Sequence, residues 1–318
     1  MMPLPDALSA THGAWVLALS FLLDASLSEP PTALHPVVWL GHAIAPLKRL
    51  SPRAPAVELA VGALYVALVT LGAALSCWWL LRALAFLPYA AAALAVYALW
   101  SCFALKGLCL AGAELADALE QDDLLRARRA LTSLCSRDPS ELSSRELAGA
   151  AIESLTENAS DSVVAPLLYF TLLGAPAALF YRAANTLDAM VGYRGRFEYL
   201  GKPAARLDDL LNLVPARLTA LLLLLTGALQ GLSARRGFSI CWRDRALTES
   251  PNAGWPMAMA AGLLGVQLDK RGAYVLGAGL AAPDVFALRA TLRLVRGTGV
   301  LAALCLFGAL YAAGACDG

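Results

Sequence analysis

Stretches without charged residues alternate along the chain with short polar segments, and several stretches are long enough to cross a membrane as helices. Residues 59–81 and 83–105 are uncharged and are separated only by Arg82, so they predict an antiparallel helical hairpin with a tight turn. Residues 297–316 form a third such stretch, since a helix needs about 20 residues to cross the hydrocarbon core of a bilayer. Residues 7–23 and 218–234 lie near the lower limit of that length.

Residues 162–181 are also uncharged, but Pro166, Gly174 and Pro176 interrupt them. Because such residues break or bend helices, a broken or re-entrant helix is as good an interpretation as a clean span. The pattern predicts an all-α, polytopic integral membrane helical bundle with about five or six hydrophobic segments, some of them re-entrant, plus cytoplasmic amphipathic helices. The whole chain, residues 1–318, is predicted to form a single membrane-embedded domain.

Composition supports a membrane protein, because 59% of the residues are hydrophobic and only 15% are charged, against about 25% in soluble domains. The 25 Lys and Arg residues nearly balance the 24 Asp and Glu residues, so no global positive field would attract nucleic acid. The seven cysteines show no paired spacing, and no P-loop or nucleophile elbow occurs. A disulfide framework, a zinc site and a standard nucleotide motif are therefore not expected.

Basic residues flank the open side of the predicted hairpin, whereas Arg82 alone lies at its tip. They are Lys48, Arg49 and Arg53 before the hairpin, and Lys106, Arg126, Arg128 and Arg129 after it. The positive-inside rule therefore places residues 24–58 and 106–161 in the cytoplasm. No Lys or Arg precedes Gly13, so residues 7–23 are expected to be a retained span and not a cleaved signal peptide.

The first polar segment contains Asp24, Glu29 and His35, and proline follows both Glu29 and His35. A residue before proline is held in an extended backbone, so Glu29 and His35 are expected on a fixed, non-helical loop. A proline-stiffened connector with solvated charges is an equally good interpretation of this segment.

A charged amphipathic helix is predicted over residues 110–134 and a second one over residues 141–161. In the second, Glu153, Glu157 and Asp161 recur every four residues and therefore share one helix face. A solvated face is the ordinary interpretation of such a row. The row adjoins the interrupted apolar segment, where carboxylates cost more than in water, and this favours a shelf for Mg²⁺ or a cationic substrate.

The third polar segment, residues 182–217, mixes acids, amides and guanidiniums between apolar stretches. Its polar residues include Asn185, Asp188, Arg194, Arg206, Asp208, Asp209 and Arg217. They fit an internal salt-bridge network, and they fit a phosphate clamp equally well, since Arg matches phosphate geometry. A fourth segment, residues 249–256, contains Ser250 and Asn252 and predicts a tight turn, with Trp255 placed to lie at the membrane interface.

Several of these segments resemble, in sequence and in order, the CobD/CbiB family of cobalamin biosynthesis. The matching strings are EP (29–30), HPV (35–37), AIESLTENASDSVVAP (151–166), NTLDAMVGY (185–193), ARLDD (205–209), VPARLT (214–219) and SPNAGWP (250–256). The resemblance covers roughly residues 20–315, and the motif region is 151–256. Where many members read Glu-Asn-Thr-x-Asp-Gly, this chain has Ala159 and Ser162 in the third and last places and keeps both acids.

The resemblance implies an adenosylcobinamide-phosphate synthase, a multi-pass enzyme of the cell inner membrane with its motif loops facing the cytoplasm. Such an enzyme uses ATP and Mg²⁺ to join (R)-1-aminopropan-2-ol, or its phosphate, to the ring-D propionate of adenosylcobyric acid, through an acyl phosphate. The implied partners are these substrates, the lipid bilayer and later membrane-bound corrinoid enzymes, with no nucleic acid.

On this resemblance the polar segments acquire hypothetical roles. The catalytic residues are Glu153, Glu157, Asp188, Asp208 and Asp209; the substrate- or phosphate-binding residues are Asp24, Glu29, His35, Asn158, Asn185, Arg206, Arg217, Ser250 and Asn252; and Mg²⁺ lies on Glu153, Glu157 and Asp161. Because the motifs on both sides of residues 162–181 must face the cytoplasm, that segment is expected not to cross the membrane.

Two other functions are compatible with the residues alone. A transporter also carries broken helices and intramembrane acids, but it commonly shows repeat symmetry, and the hairpin of residues 59–105 has no counterpart in the second half. A non-catalytic membrane scaffold for corrinoid enzymes explains the apolar stretches but not the short, ordered motifs of acids and arginines.

Overall fold

Long uncharged segments form helices throughout the described chain, which comprises residues 10–49, 54–135, 138–193 and 195–316 of a computed structural model. The predicted mainly helical fold class is confirmed. Arg53 and Arg194, both named among the basic residues above, lie outside the described residues.

The helices follow one another with short connections. In chain order they are α1 (Ala10–Leu27), α2 (Pro36–Ile44), α3 (Pro55–Ala83), α4 (Pro88–Trp100), α5 (Leu105–Glu120), α6 (Leu124–Leu131), α7 (Ser144–Ala159), α8 (Ala165–Leu173), α9 (Ala175–Val191), α10 (Lys202–Leu211), α11 (Leu213–Leu229), α12 (Ala234–Asp244), α13 (Gly254–Leu264) and α14 (Val285–Cys316). Short 3₁₀ turns at Thr32–Leu34 and Ala45–Arg49 flank α2, and a π-helical turn at Ser160–Val164 joins α7 to α8.

Four segments of the described chain are long and apolar enough to cross a membrane. They are Ala10–Leu27, Pro55–Ala83, Pro88–Glu120 and Val285–Cys316. The pair formed by α10 and α11 is bent at Asn212, passes the same test and raises the number to five. Five or six hydrophobic segments were expected, and the described chain has five when the bent pair is counted as one span.

The two helices predicted on either side of Arg82 are present, since α3 and α4 contact each other and are joined by a short turn at residues 84–87. Their antiparallel packing stays a prediction. Only three residues of α3 are buried, and one face of the helix exposes large apolar side chains such as Leu64, Leu68 and Leu75, as lipid contact requires. At the turn, the guanidinium of Arg82 lies 5.5 Å from the ring centroid of Trp78, and Phe86 and Tyr89 are exposed. Aromatic and basic residues grouped in this way are typical of the membrane–water interface.

The prediction of one amphipathic helix over residues 110–134 is wrong. The segment contains two helices, α5 and α6, and α5 begins earlier, within the apolar segment that follows α4. Asp122 interrupts them with a φ of +54°, a left-handed conformation that a right-handed helix cannot continue. Asp123 then caps α6, since its carboxylate accepts the N–H of Arg126 at 2.9 Å.

Residues 162–181 form a broken helix, in agreement with one of the two interpretations of their prolines and glycine. The break lies at Gly174, whose φ of +78° suits glycine, and α9 then packs back against α8. The part of this segment before the break, residues 162–173, is about 18 Å long, well short of the thickness of the hydrocarbon core. This length favours a segment that does not cross, and its position in a membrane stays a prediction.

Packing divides the chain into two compact units, each with its own apolar core. The first unit comprises residues 1–104, 165–211 and 303–318, and the second comprises residues 105–164 and 212–302. In the first unit, α2, α3 and α10 pack on α9 around Leu187 and Val191. In the second, α11, α12 and α13 pack together around Leu223 and Leu263. That residues 1–318 act as one domain stays a prediction.

A two-stranded antiparallel hairpin, which the sequence did not predict, follows α13. Strand β1 (Leu268–Lys270) pairs with β2 (Tyr274–Leu276), and Asp244 of α12 accepts the N–H of Gly277 just beyond β2 at 2.7 Å. Burial alone raises the pKa of Asp244, but the hydrogen bonds from Arg243 and Gly277 outweigh it and keep the pKa below its ordinary value. The carboxylate thereby ties the hairpin to α12.

Candidate functional site

A connected set of polar side chains joins α9 to α10 within the first unit. Arg182 donates from Nη1 to the Oδ1 atom of Asn185 at 3.3 Å, and Asn185 donates from Nδ2 to the Oδ1 atom of Asp208 at 3.2 Å. Arg182 and Asn185 are three residues apart and therefore share one face of α9. Asp208 is 9% exposed, so its carboxylate depends largely on protein partners for solvation. We call Arg182, Asn185 and Asp208 the polar triad.

The other two predicted residues of α10 lie closer to the surface. Arg206 and Asp209 form an ion pair with an N–O distance of 3.9 Å, and the side chain of Arg206 is 74% exposed. Such an exposed pair contributes little to stability, because water screens it. Of the three charged residues predicted on α10, only Asp208 therefore takes part in the polar triad.

His35 caps α2 and lies beside Glu29, as part of the loop that its prolines predict. Its Nδ1 atom accepts the N–H of Val37 at 3.2 Å, and its Nε2 atom lies 3.9 Å from the carboxylate of Glu29. Burial lowers the pKa of His35; Glu29 opposes this shift, and the positive charge of Arg182 adds to it. The cap also requires an unprotonated Nδ1, so geometry and electrostatics both favour a neutral imidazole with its proton on Nε2.

Arg182 donates to Asn185 of the polar triad, and its positive charge also acts on His35. Arg182 is not among the site residues predicted from the sequence. The only signal for it was that it is the first charged residue after the uncharged segment 162–181. A charged side chain next to an apolar segment needs a polar partner, so this position indicates that Arg182 has one.

Asp24 and Asp188 are the remaining predicted acids of the first unit. Asp24 lies near the end of α1 and is 1% exposed. Asp188 lies three residues after Asn185 on α9 and is partly buried. A Cβ atom on Gly192 would lie 1.9 Å from the Oδ1 atom of Asp188, so this close approach of carboxylate and backbone requires glycine.

The predicted row of acids lies in the second unit, and it does not continue as a regular helix face. Glu153 is buried on α7, whereas Glu157 and Asp161 are partly exposed. The π-helical turn begins at Ser160, so the regular spacing assumed for the row ends before Asp161. π-helical turns change the direction of the side chains that follow them and are frequent at functional sites.

Asn158 holds this π-helical turn together. Its amide nitrogen donates to the carbonyl oxygen of Ser154 at 3.0 Å, and its amide oxygen accepts the hydroxyl of Ser162 at 3.0 Å. Asn158 thus connects the last turn of α7 to the first part of the π-helical turn. Its predicted contact with substrate stays a prediction.

Carboxylates do not form a ready-made metal cage in the part of the chain that the structure describes. No three His, Cys, Asp or Glu side chains there converge in a way that could hold a metal ion. Mg²⁺, however, is commonly bound by one or two carboxylates together with phosphate and water oxygens. Glu157 and Asp161, which are partly exposed, fit this mode better than the buried Glu153. Mg²⁺ on these three acids stays a prediction.

Arg217, Ser250 and Asn252 converge in the second unit although they are distant in sequence. Arg217 donates from Nη1 to the amide oxygen of Asn252 at 3.3 Å, and the N–H of Asn252 donates to the hydroxyl of Ser250 at 3.2 Å. The predicted tight turn is therefore present, and α13 begins directly after it. Trp255 packs against the guanidinium of Arg217, whose Cζ lies 4.7 Å from the centroid of its ring.

Arg245, which is not among the residues predicted from the sequence, also belongs to this part of the second unit. Its Cζ atom lies 3.7 Å from the ring centroid of Trp242 and 5.3 Å from that of Trp255. A Cβ atom on Gly254 would lie 2.2 Å from the carbonyl oxygen of Arg245, so glycine is required where the two segments meet. The spacing of Trp242 and Arg245, three residues apart, was the only signal in the sequence.

The chain is similar along most of its length to proteins of cobalamin biosynthesis. The family model described as CobD/CbiB protein matches residues 17–295. The cobalamin biosynthesis protein CobD of Dehalococcoides mccartyi is 37% identical over 300 residues, which cover 93% of this chain and 97% of the relative. CobD of Geobacter metallireducens is 41% identical over 308 residues, which cover 92% and 96%. No solved structure shows significant similarity.

Proposed function

The chain belongs to the CobD/CbiB family of cobalamin biosynthesis proteins, and from this membership we propose that it is an ATP-dependent amide ligase, an adenosylcobinamide-phosphate synthase. It joins (R)-1-aminopropan-2-ol, or its phosphate ester, to the ring-D propionate of adenosylcobyric acid. The observation that carries the proposal is the polar triad, because charged groups inside an apolar bundle are costly and mark functional sites. A cation and a carboxylate held at one place suit the two groups that amide ligation joins, a carboxylate and an ammonium.

The chemistry must first activate the propionate, since a carboxylate repels nucleophiles. An oxygen of the propionate attacks the γ-phosphorus of ATP, ADP leaves, and an acyl phosphate forms. The neutral amine then attacks the acyl carbon, the C–O bond to phosphate breaks, and inorganic phosphate leaves. The nitrogen loses one proton to a base, and charge develops on oxygen in both steps, so nearby cations accelerate them.

The polar triad can supply a positive charge for the propionate, a base for the amine, and a side chain that positions both. Arg182 places a permanent positive charge where the propionate can be bound and where negative charge develops. Asp208, which is largely buried and fixed by Asn185, can bind the ammonium and then accept its proton. Asn185 positions both charged groups, since it accepts from one and donates to the other.

The acids of α7 and the π-helical turn are assigned to the nucleotide. Glu157 and Asp161 are the carboxylates that would hold Mg²⁺, which when bound neutralises phosphate charge. Glu153 precedes both of them along the chain, is buried on α7, and is assigned to the same group. The substrates are water-soluble, so we place the motif loops of residues 151–256 on the cytoplasmic side of the inner membrane, together with the basic residues of 106–161. This placement requires the bent pair of α10 and α11 to enter and leave the membrane on the same side.

A ligation assay on the full chain, purified in detergent, tests this proposal. The reaction contains adenosylcobyric acid, Mg²⁺·ATP and either aminopropanol phosphate or free aminopropanol, and mass spectrometry follows the corrinoid. The expected product is heavier than the substrate by the amine minus water, and it forms only with ATP. If product forms with free aminopropanol but not with its phosphate, the proposed reaction stands and its substrate is the free amine.

Absence of product with both amines, from protein that is folded and monodisperse, would contradict the ligase. Uptake of a labelled corrinoid into proteoliposomes would then support the transporter, and co-purification with corrinoid enzymes would support the scaffold. Neither of these functions requires ATP-dependent amide formation, so the assay separates the three.

A further inference from the structure

Indole rings and guanidinium groups alternate in the second unit, in the order Trp242, Arg245, Trp255 and Arg217. The distances from guanidinium carbon to ring centroid are 3.7 Å for Arg245 over Trp242, 5.3 Å for Arg245 over Trp255, and 4.7 Å for Arg217 over Trp255. All three lie within the range of cation–π attraction, about 6 Å. We call these four residues the cation ladder.

Neither guanidinium of the cation ladder pairs with a carboxylate among the residues that the structure describes. Arg217 donates to the carbonyl oxygen of Leu213 at 2.6 Å and to the amide of Asn252, and Arg245 donates to the carbonyl oxygen of Trp242. Other arginines of the same unit are paired with acids, namely Arg126, Arg243 and Arg289. Two positive charges are thus held by neutral hydrogen-bond acceptors beside one indole ring, where they repel each other.

The start of α13 lies at the same place and adds to the positive potential. Trp255 is the second residue of this helix, and Ala253 at its N-cap supplies no side-chain hydrogen bond. The N-terminus of a helix carries a partial positive charge and N–H groups that bind anions. The binding of an anion next to the two guanidiniums and the uncapped start of α13 is therefore favoured.

We propose that the cation ladder binds a phosphate group of a soluble substrate, either the nucleotide or the phosphorylated amine. The planar guanidinium forms paired hydrogen bonds with phosphate oxygens, and stacking on indole fixes its plane before the ligand arrives. Arg245 is the new residue in this assignment. The inference rests on the proposed ligase function for the identity of the two ligands, but the site itself follows from the geometry.

Binding measured without turnover tests the site. The full chain in detergent is titrated calorimetrically with ADP, with aminopropanol phosphate, and with free aminopropanol as the ligand without phosphate. Arg245→Gln should raise the Kd for one phosphorylated ligand by about tenfold, the effect of losing one charge-assisted contact. The matched control is Arg235→Gln, which removes the same charge from an exposed position of α12 and should change Kd by less than about twofold.

The ligands distinguish the source of the phosphate. An effect confined to ADP assigns the cation ladder to the nucleotide, and an effect confined to aminopropanol phosphate assigns it to the amine. Arg245→Lys keeps the charge but loses the planar fork, so it should weaken the same ligand by an intermediate factor. This variant also serves if Arg245→Gln fails to give a monodisperse protein.

Three results would overturn the site. They are equal weakening by Arg235→Gln and Arg245→Gln, equal weakening for the amine with and without phosphate, and displacement of both phosphorylated ligands by phosphatidylglycerol in the micelles. The last result would assign the cation ladder to lipid headgroups. If ligation is absent but phosphate binding depends on Arg245, the proposed ligase fails and the site remains; if ligation proceeds unchanged in Arg245→Gln, the site fails and the ligase remains.

Discussion

Replacing Asn185 by Leu probes the polar triad directly, because Leu is similar in size and removes both hydrogen bonds of the amide. That amide accepts from Arg182 at 3.3 Å and donates to Asp208 at 3.2 Å. Each bond involves a charged group, and such bonds contribute about 1.5–3 kcal/mol. Asp208 is 9% exposed, so water cannot fully replace the lost donor.

The loss of one such contact in the transition state predicts a fall in kcat/KM of roughly ten- to hundredfold, since about 1.4 kcal/mol corresponds to a factor of ten. Thr186→Val is the matched control on the next residue of α9. The hydroxyl of Thr186 donates only to the carbonyl oxygen of Arg182 within the helix, at 2.7 Å. Its loss should change kcat/KM by less than about threefold, because the polar triad stays intact.

Initial rates of ligation with each amine measure the effect, and thermal unfolding verifies that both variants are folded. A kcat/KM for Asn185→Leu within about threefold of the value for the unsubstituted protein would refute the role of the polar triad. An equal loss in Thr186→Val would show that the effect belongs to α9 in general and not to the amide.

Three further predictions follow from single residues. The pKa of His35 is lowered in the folded chain, so the unfolded chain binds the proton first, and the free energy of unfolding falls as the pH drops below about 6.5. His35→Asn keeps the helix cap and should show a smaller drop in unfolding temperature over the same pH range. Identical pH profiles for the two proteins would exclude this linkage. Glu153→Gln and Asp188→Asn should each abolish ligation in a folded protein, whereas near-normal turnover in both would remove the acids from catalysis. Gly201→Ala would place its Cβ atom 1.7 Å from the carbonyl oxygen of Val191, the last residue of α9, and should lower the free energy of unfolding by about 1–3 kcal/mol, measured by thermal unfolding. Gly72→Ala is the control, because its Cβ atom would have no neighbour within 4 Å and should leave stability unchanged.

The helices of the membrane hairpin could be predicted because charge is costly in lipid, so uncharged stretches bounded by Arg82 identify α3 and α4. The division between α5 and α6 could not, because Asp122 adopts a left-handed conformation without being glycine. The π-helical turn at Ser160–Val164 also has no local signal, since its residues have no distinctive propensity. Periodicity alone therefore overestimated the length and regularity of the polar helices.

The candidate site was predicted in its residue types but not in its contacts. Asn185 and Asp208 were both selected, yet nothing in a single sequence shows that their side chains meet. Arg182 and Arg245 were not selected, because their importance depends on neighbours that are distant along the chain or on stacking geometry. Charge patterns reveal which residues need partners, and only the fold shows which partners they have.

Ligation with adenosylcobyric acid carrying ¹⁸O in its ring-D propionate carboxyl tests the central claim most directly. The proposed acyl phosphate requires one carboxyl oxygen to leave with the phosphoryl group. The amide product should therefore retain one labelled oxygen, and the released inorganic phosphate should carry the other. Unlabelled phosphate, or no amide product from folded protein, would contradict the account.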